Sequence, residues 1–353
     1  DEAGLPVRSA SATTLDKSLV PHRVCDRERN SEVVGIVDIH AHWYPDGCIA
    51  EAIGGQSDFR LDSVPEGGQR LLCRGSYVMS LPRGHNDMEG RLSVMDQAGV
   101  AVQVLSVGAL DIGLARTRAS VVARRINDAL SEICVKANGR FRFVASLALD
   151  DPAELIKEMD RMAAMGAVGV GITTTVGGRS LDADEFRGFW QEAGRRELVV
   201  LVHPTFPLTG PAGDRGEFLT TAYLGETAMA ATKVVLAGIL DESPRVRIVW
   251  SHLGGGLAML IDRLDRVYKR YPTCPKPPSF YLKRCFYDTV CTHGPALDCA
   301  RATFGADRLV FGTDEPHVPN GTGDVLAALR NRSWPAADLE AVLTQNVTRL
   351  GVL

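Results

Sequence analysis

The sequence predicts an α/β protein built as a (β/α)8 TIM barrel with long loops at its C-terminal face. Three observations predict it. Eight short, nearly continuous apolar runs recur along the 353-residue chain, as in parallel strands buried on both faces. Helix-period segments separate most of them. No GxGxxG follows the first run, so the competing doubly wound sheet lacks its usual phosphate-binding turn. Eight strand–helix units in about 320 residues suit a barrel.

Residues 1–33 are polar and mixed in charge and are read as an N-terminal extension; 34–353 form the catalytic domain. The strand candidates are 34–39 (VGIVDI), 100–107 (VAVQVLSV), 141–149 (FRFVASLAL), 167–172 (AVGVGI), 198–202 (LVVLV), 246–250 (VRIVW), 285–290 (CFYDTV) and 308–312 (RLVFG). Within 119–138, Val122, Ile126, Leu130 and Ile133 advance by three or four and share one helix face. Further helices are expected after Pro152, Asp182 and Leu257, and a last one over about 336–349. Asp150-Asp151 before Pro152 occupies a helix N-cap position and is read as structural. Connections 43–90 and 204–222 are too long for simple turns, and in a barrel they would shape or cover the mouth.

Composition narrows the function. With 45% hydrophobic and 23% charged residues the chain is neither disordered nor a disulfide scaffold. Thirty-nine basic residues against 43 acidic ones give a net charge of −4 without long like-charge blocks, so neither a nucleic-acid nor a membrane partner is expected. The eight cysteines include no CxxC pair, and several fall in apolar runs, as free thiols of a reducing compartment do. No run approaches the ~20 residues of a membrane span, and the N-terminus lacks a signal-peptide core. A cytoplasmic protein is expected.

The chemistry-bearing residues stand where apolar strands end. The first run closes on Asp38-Ile39-His40-Ala41-His42, where residues two apart share a face. The fifth runs into His203-Pro204, the sixth into Ser251-His252 and the eighth into Asp314. Parallel strands would gather these groups at the C-terminal mouth. Any one of the histidines also reads as a packed residue bonded to backbone. Together, three imidazoles and a carboxylate form a donor set for Zn²⁺, with Mn²⁺ and Fe²⁺ next. Gly254-Gly255-Gly256 admits a phosphate-loop reading but lacks the Lys-Ser/Thr of one; close backbone approach to the metal site is the expected reason for it.

DIHAH at 38–42, RLSVMDQAGVAVQVLS at 91–106, LVHP at 201–204, SHLGGGLAMLIDRLDR at 251–266, FYDTV at 286–290, FGTDEP at 311–316 and QNVTRL at 345–350 together resemble a known family. It is the amidohydrolase-related group that includes α-amino-β-carboxymuconate-ε-semialdehyde decarboxylase and γ-resorcylate decarboxylase, and the resemblance covers 34–353. It implies that His40, His42, His203 and Asp314 hold one divalent ion, with no organic cofactor. It also implies that His252 is the acid/base, working beside Asp314, and that Arg263 reaches a neighbouring subunit's site in a homodimer.

A bound divalent ion lowers the pKa of water toward ~7, and a histidine titrating near ~6.5 can accept or return a proton. The resemblance favours non-oxidative removal of CO₂ from a small unsaturated or aromatic carboxylic acid. The alternative is hydrolysis of a lactone, amide or related acyl bond; a barrel that binds without turnover is disfavoured by the complete residue set. Two departures bear on the substrate. The semialdehyde decarboxylase's loop arginine would fall near Met79, where no arginine stands, with Arg74 and Arg83 nearby. The family's aromatic after Asp-x-Pro is here His317, and His293 follows the seventh run; both are candidate substrate-binding residues.

Overall fold

All eight apolar runs become strands of one parallel sheet in the computed structural model, which describes residues 35–54, 56–65, 67–149, 151–206, 217–318 and 320–353. They are β1 (Ile36–His42), β2 (Val100–Ser106), β3 (Phe141–Ser146), β4 (Gly169–Thr173), β5 (Val199–His203), β6 (Arg247–Trp250), β7 (Phe286–Asp288) and β8 (Leu309–Val310). Each pairs in parallel with the next. Ile39 N–H to Phe311 O at 2.8 Å, Asp314 N–H to His40 O at 2.8 Å and His42 N–H to Glu315 O at 2.7 Å join the last strand to the first. The chain is a (β/α)8 barrel. The expected extension at 1–33, Asp150 and the middle of the connection after β5, 207–216, lie outside the described residues.

The helices follow from their apolar spacing. Ala119–Lys136 buries Val122, Ile126 and Leu130, with Ile133 partly buried at the rim. Pro152–Ala164 is capped by Asp151, whose carboxylate accepts the Ala153 and Glu154 N–H groups at 3.1 Å. Arg187–Arg195 and Leu257–Tyr268 occupy the other expected positions. The last helix is less regular than its periodicity suggests: Ala336–Glu340 and Asn346–Leu350 are joined by a wider turn at 341–345.

The connection after β1 is not irregular. It holds a short helix, Cys48–Ile53, a three-stranded antiparallel sheet (Phe59–Ser63, Gly68–Cys73, Ser76–Pro82) and the helix Met88–Ala98. Two of the three inserted strands are half-exposed, so no continuous apolar run announces them.

Two apolar clusters hold the barrel. One lies between strands and helices. The other, including Val37, Val102, Val144, Leu201, Val249 and Val310 with Val347, Leu350 and Val352 of the C-terminus, fills the interior beneath the mouth. Each such side chain contributes roughly 1.5–3 kcal/mol by leaving water, which fixes the platform on which the polar strand ends stand. Among the described residues no helix is long and apolar enough to cross a membrane, and seven cysteines are unpaired.

Candidate metal centre

The four residues expected to hold an ion converge. One donor atom from each of His40, His42, His203 and Asp314 lies within 4.8 Å of every other, a spread that bonds of roughly 2.0–2.2 Å span after shifts of a few tenths of an ångström. The register of β1 shifts between Asp38 and Ala41, an irregularity that re-aims side chains at the end of the strand. Gly312 makes room: a Cβ there would stand 2.8 Å from the His40 Cβ and 3.0 Å from that of Asp288.

Each imidazole is oriented from behind. His40 Nδ1 donates to Asp288 Oδ2 at 2.5 Å, His203 Nδ1 donates to the Pro204 carbonyl at 2.7 Å, and His42 Nδ1 lies 2.9 Å from Ser106 Oγ. With Nδ1 carrying the proton, the Nε2 lone pairs of His40 and His203 face inward. His40 and His42 Nε2 are 3.0 Å apart, and His203 Nε2 is buried without a hydrogen-bond partner. Converging lone pairs repel unless a cation lies between them, so the donor set fits a divalent ion.

Burial opposes charge on His40, but the Asp288 carboxylate overrides it and raises that group to about 10, so in the metal-free cluster a proton stands on its Nε2, and a cation that takes that place displaces the proton. Burial lowers His42 to about 3 and holds His203 well below the usual histidine range, helped by the positive charge of its neighbours. Burial works against the Asp314 carboxylate too, yet hydrogen bonds from His252, His40 and His42 keep it well below the usual carboxylate range. The carboxylate is therefore ionised and available to a cation.

His252 stands on the other side of Asp314, its Nε2 3.4 Å from Oδ2, its ring 5.3 Å from that of His40. It and Leu253 adopt left-handed backbone conformations at φ 54 and 53. The glycines after them do allow close approach, but not to the metal site as expected: a Cβ on Gly254 would meet the Tyr287 ring at 2.7 Å and one on Gly255 the Leu224 carbonyl at 1.9 Å.

Of the remaining candidates, His317 belongs to the site, its Nε2 2.7 Å from Tyr44 Oη and its ring 5.2 Å from that of His42. His293 is exposed at the start of the helix Gly294–Phe304, and among the described residues no hydrogen bond or ring contact links it to the cluster. Arg263 is exposed on Leu257–Tyr268. Met79 is buried, while Arg74 and Arg83 are exposed.

Sequence reasoning passed over Asp288, Asp38, Ser106, Tyr44 and Tyr223. Asp288, wholly buried, accepts His40 Nδ1 on one oxygen and the Val290 and Leu253 N–H groups on the other, at 3.1 and 3.4 Å. It thus ties the orientation of His40 to the turn carrying His252. Asp38, also wholly buried, accepts Thr313 Oγ1 at 2.7 Å and Gln103 Nε2 at 2.9 Å, locking β1 to its neighbours. Both are polar residues in apolar strands, the signal that found the histidines. Tyr223 lies edge-on to His203 at 5.8 Å, with no signal in the sequence.

Comparison with known proteins places this geometry. A family described as amidohydrolase matches residues 37–350. A γ-resorcylate decarboxylase from a Rhizobium species is 32% identical over 69% of this chain and 81% of its own length. The 2-amino-3-carboxymuconate-6-semialdehyde decarboxylase of Dictyostelium discoideum is 22% identical over 79% of this chain and 81% of its own. The crystal structure of a 2,6-dihydroxybenzoate decarboxylase from Rhizobium superposes with a TM-score of 0.71 at 26% identity, over 90% of this chain and 98% of that one.

Proposed function

This chain belongs to the amidohydrolase family, and from that premise we propose a metal-dependent, non-oxidative decarboxylase, a carbon–carbon lyase acting on a small aromatic carboxylic acid. The observation that carries it is the inward convergence of three imidazoles on the ionised Asp314, with His252 at that residue's second oxygen. The balance of three nitrogens to one oxygen supports Zn²⁺ as the ion. A divalent ion held there supplies Lewis-acid anchorage for the substrate's oxygens and acidifies a bound water.

The chain's own groups do the rest. His40, His42, His203 and Asp314 hold the ion, and Asp288, Ser106 and the Pro204 carbonyl aim the imidazoles. His252 delivers a proton to the ring carbon bearing the carboxylate. A C–H bond forms there as the C–C bond breaks; its electron pair restores the aromatic ring and CO₂ leaves. His252 recovers its proton from water. No electrons pass to an acceptor, so no organic cofactor is called for. Beside His203 lies a narrow cleft walled by Leu110, Ile112, Val144, Val176 and Leu201, with about 20 Å³ of free space. An aromatic ring enters it only as these walls part, and their apolar side chains then face the ring, with His317 and Tyr44 offering a polar edge to its substituents.

The buried guanidinium behind β1, Arg91, is committed to the carbonyls of His42 and His85. The family resemblance assigns pairing of the substrate carboxylate to the partner subunit's Arg263, a role that Arg91 is not free to take. The helix Leu257–Tyr268 buries only Leu257 of its 12 residues and leaves Met259, Leu260 and Val267 exposed beside Arg263. That face supports a homodimer. Unpaired cysteines support a cytoplasmic setting.

The test is CO₂ release from 2,6-dihydroxybenzoate and related ring acids by zinc-loaded protein. Stoichiometric CO₂ is expected. Acid consumed without CO₂ would move the assignment to the hydrolase alternative, and no turnover of any ring acid would overturn the reading.

A further inference from the structure

The cleft beside His203 has two walls from different parts of the chain, and a buried carboxylate joins them. One wall is the segment after β2, which supplies Leu110, Ile112 and Gly113; the other is the hairpin after β4, which supplies Val176. In that hairpin Val176 pairs with Arg179, so Gly177-Gly178 is a two-residue turn, with φ of 58 and 79 that favour glycine. Asp111 is 3% exposed. Its Oδ1 accepts the Gly113 N–H at 2.8 Å and its Oδ2 the Gly177 N–H at 2.8 Å. The loops touch backbone to backbone there: a Cβ on Gly113 would stand 2.4 Å from Gly177 N.

A carboxylate offers only acceptors, and both partners here are donors from separate loops. Bonds from backbone N–H to an ionised acceptor are among the stronger hydrogen bonds. Burial pushes Asp111 up to about 7, against the backbone N–H bonds from Gly177, Gly113 and Gly178 that favour its charged form. The loops have no strand pairing with each other, so this side chain sets their separation. We propose that Asp111 is a positioning residue that fixes the width of the ring cleft, and with it the discrimination between small and bulky ring acids. The proposal rests on the decarboxylase reading above.

Two variants separate the walls differently. Asp111→Asn keeps the volume but sets an amide N–H against a backbone N–H; Gly113→Ala keeps the carboxylate and pushes the loops apart sterically. With 2,6-dihydroxybenzoate as the small acid and 5-carboxyvanillate as the bulky one, both variants are expected to keep the parent's metal content. KM for the small acid should rise on the order of tenfold with kcat within about threefold, the signature of lost uniform binding. The bulky-to-small ratio of kcat/KM should rise in both. A lowered Tm with KM and the ratio unchanged would mean a role in stability alone and would overturn the proposal. Should Asp111→Asn fail to fold, Gly113→Ala carries the test. If the parent releases no CO₂ from either acid, the decarboxylase reading has failed separately, and calorimetric affinities of the two acids for parent and variants still report the cleft: unchanged relative affinity overturns it.

Discussion

Replacing Asp288 by Asn probes the centre without touching a metal ligand. Asp288 is wholly buried, holds His40 Nδ1 at 2.5 Å and accepts two backbone N–H groups. Asn fills the same space with one acceptor oxygen in place of two and no charge. If that oxygen serves His40, the amide N–H₂ faces the N–H groups of Val290 and Leu253; if it serves them, His40 loses its acceptor. The first arrangement leaves buried donors unpaired, at roughly 1–3 kcal/mol of folding stability. The second frees the imidazole to rotate, and loss of a partner behind a ligating histidine typically weakens metal binding 10–100-fold, about 1.4–2.8 kcal/mol. Chelator competition measures the metal Kd, and thermal unfolding of metal-free protein isolates the folding cost. A metal Kd within twofold of the parent's, with unchanged Tm, would refute the assignment of Asp288 to both His40 and the His252 turn.

His252→Asn should retain metal while turnover falls by a factor on the order of 10²–10⁴; unchanged turnover at full metal content would remove the proton-handling role. Asp314→Asn should lose the ion first, seen as substoichiometric metal by elemental analysis after dialysis, because it removes the single anionic donor. Leu201→Ala, at a position 1% exposed in the barrel interior, should cost roughly 2–5 kcal/mol in denaturant unfolding with metal stoichiometry retained in the folded protein; a smaller loss would mean that the interior collapses around the gap. Arg263→Ala should raise KM for ring acids without changing metal content. Its effect should be rescued in mixed dimers with a partner whose own metal site is disabled, and absence of rescue would contradict a shared pocket.

The eight strands were legible because a parallel strand covered on both faces must be apolar throughout, as VVLV at 199–202 is. The metal set was legible for the opposite reason: His40, His42, His203 and Asp314 break such strands at their ends, where burial of an imidazole or carboxylate needs a compensating partner. The same rule applies to Asp288, but its partner is 248 positions away, and nothing local distinguishes a residue that aims a ligand from one that is a ligand. The inserted sheet escaped because its first two strands are half-exposed and carry Arg60, Asp62, Gln69 and Arg70 among apolar neighbours. At Gly254 and Gly255 the close approach is legible but what is approached is not, since the contacts with Tyr287 of β7 and Leu224 of the helix Tyr223–Leu236 depend on how distant elements pack; Gly256 faces open space.

Burial and periodicity act over a few residues, so the amino-acid order alone determined the element types, their alternation and the polar groups placed at strand ends. Distances between groups far apart in the chain come from closure of the sheet and from the packing beneath it. Tertiary structure therefore decided that four donors meet within 4.8 Å of one another, that His252 shares Asp314 with them, and that Asp111 spans two loops of the cleft. The physical reason is that a hydrogen bond or a metal bond is made or lost over tenths of an ångström, a scale that local sequence pattern does not encode.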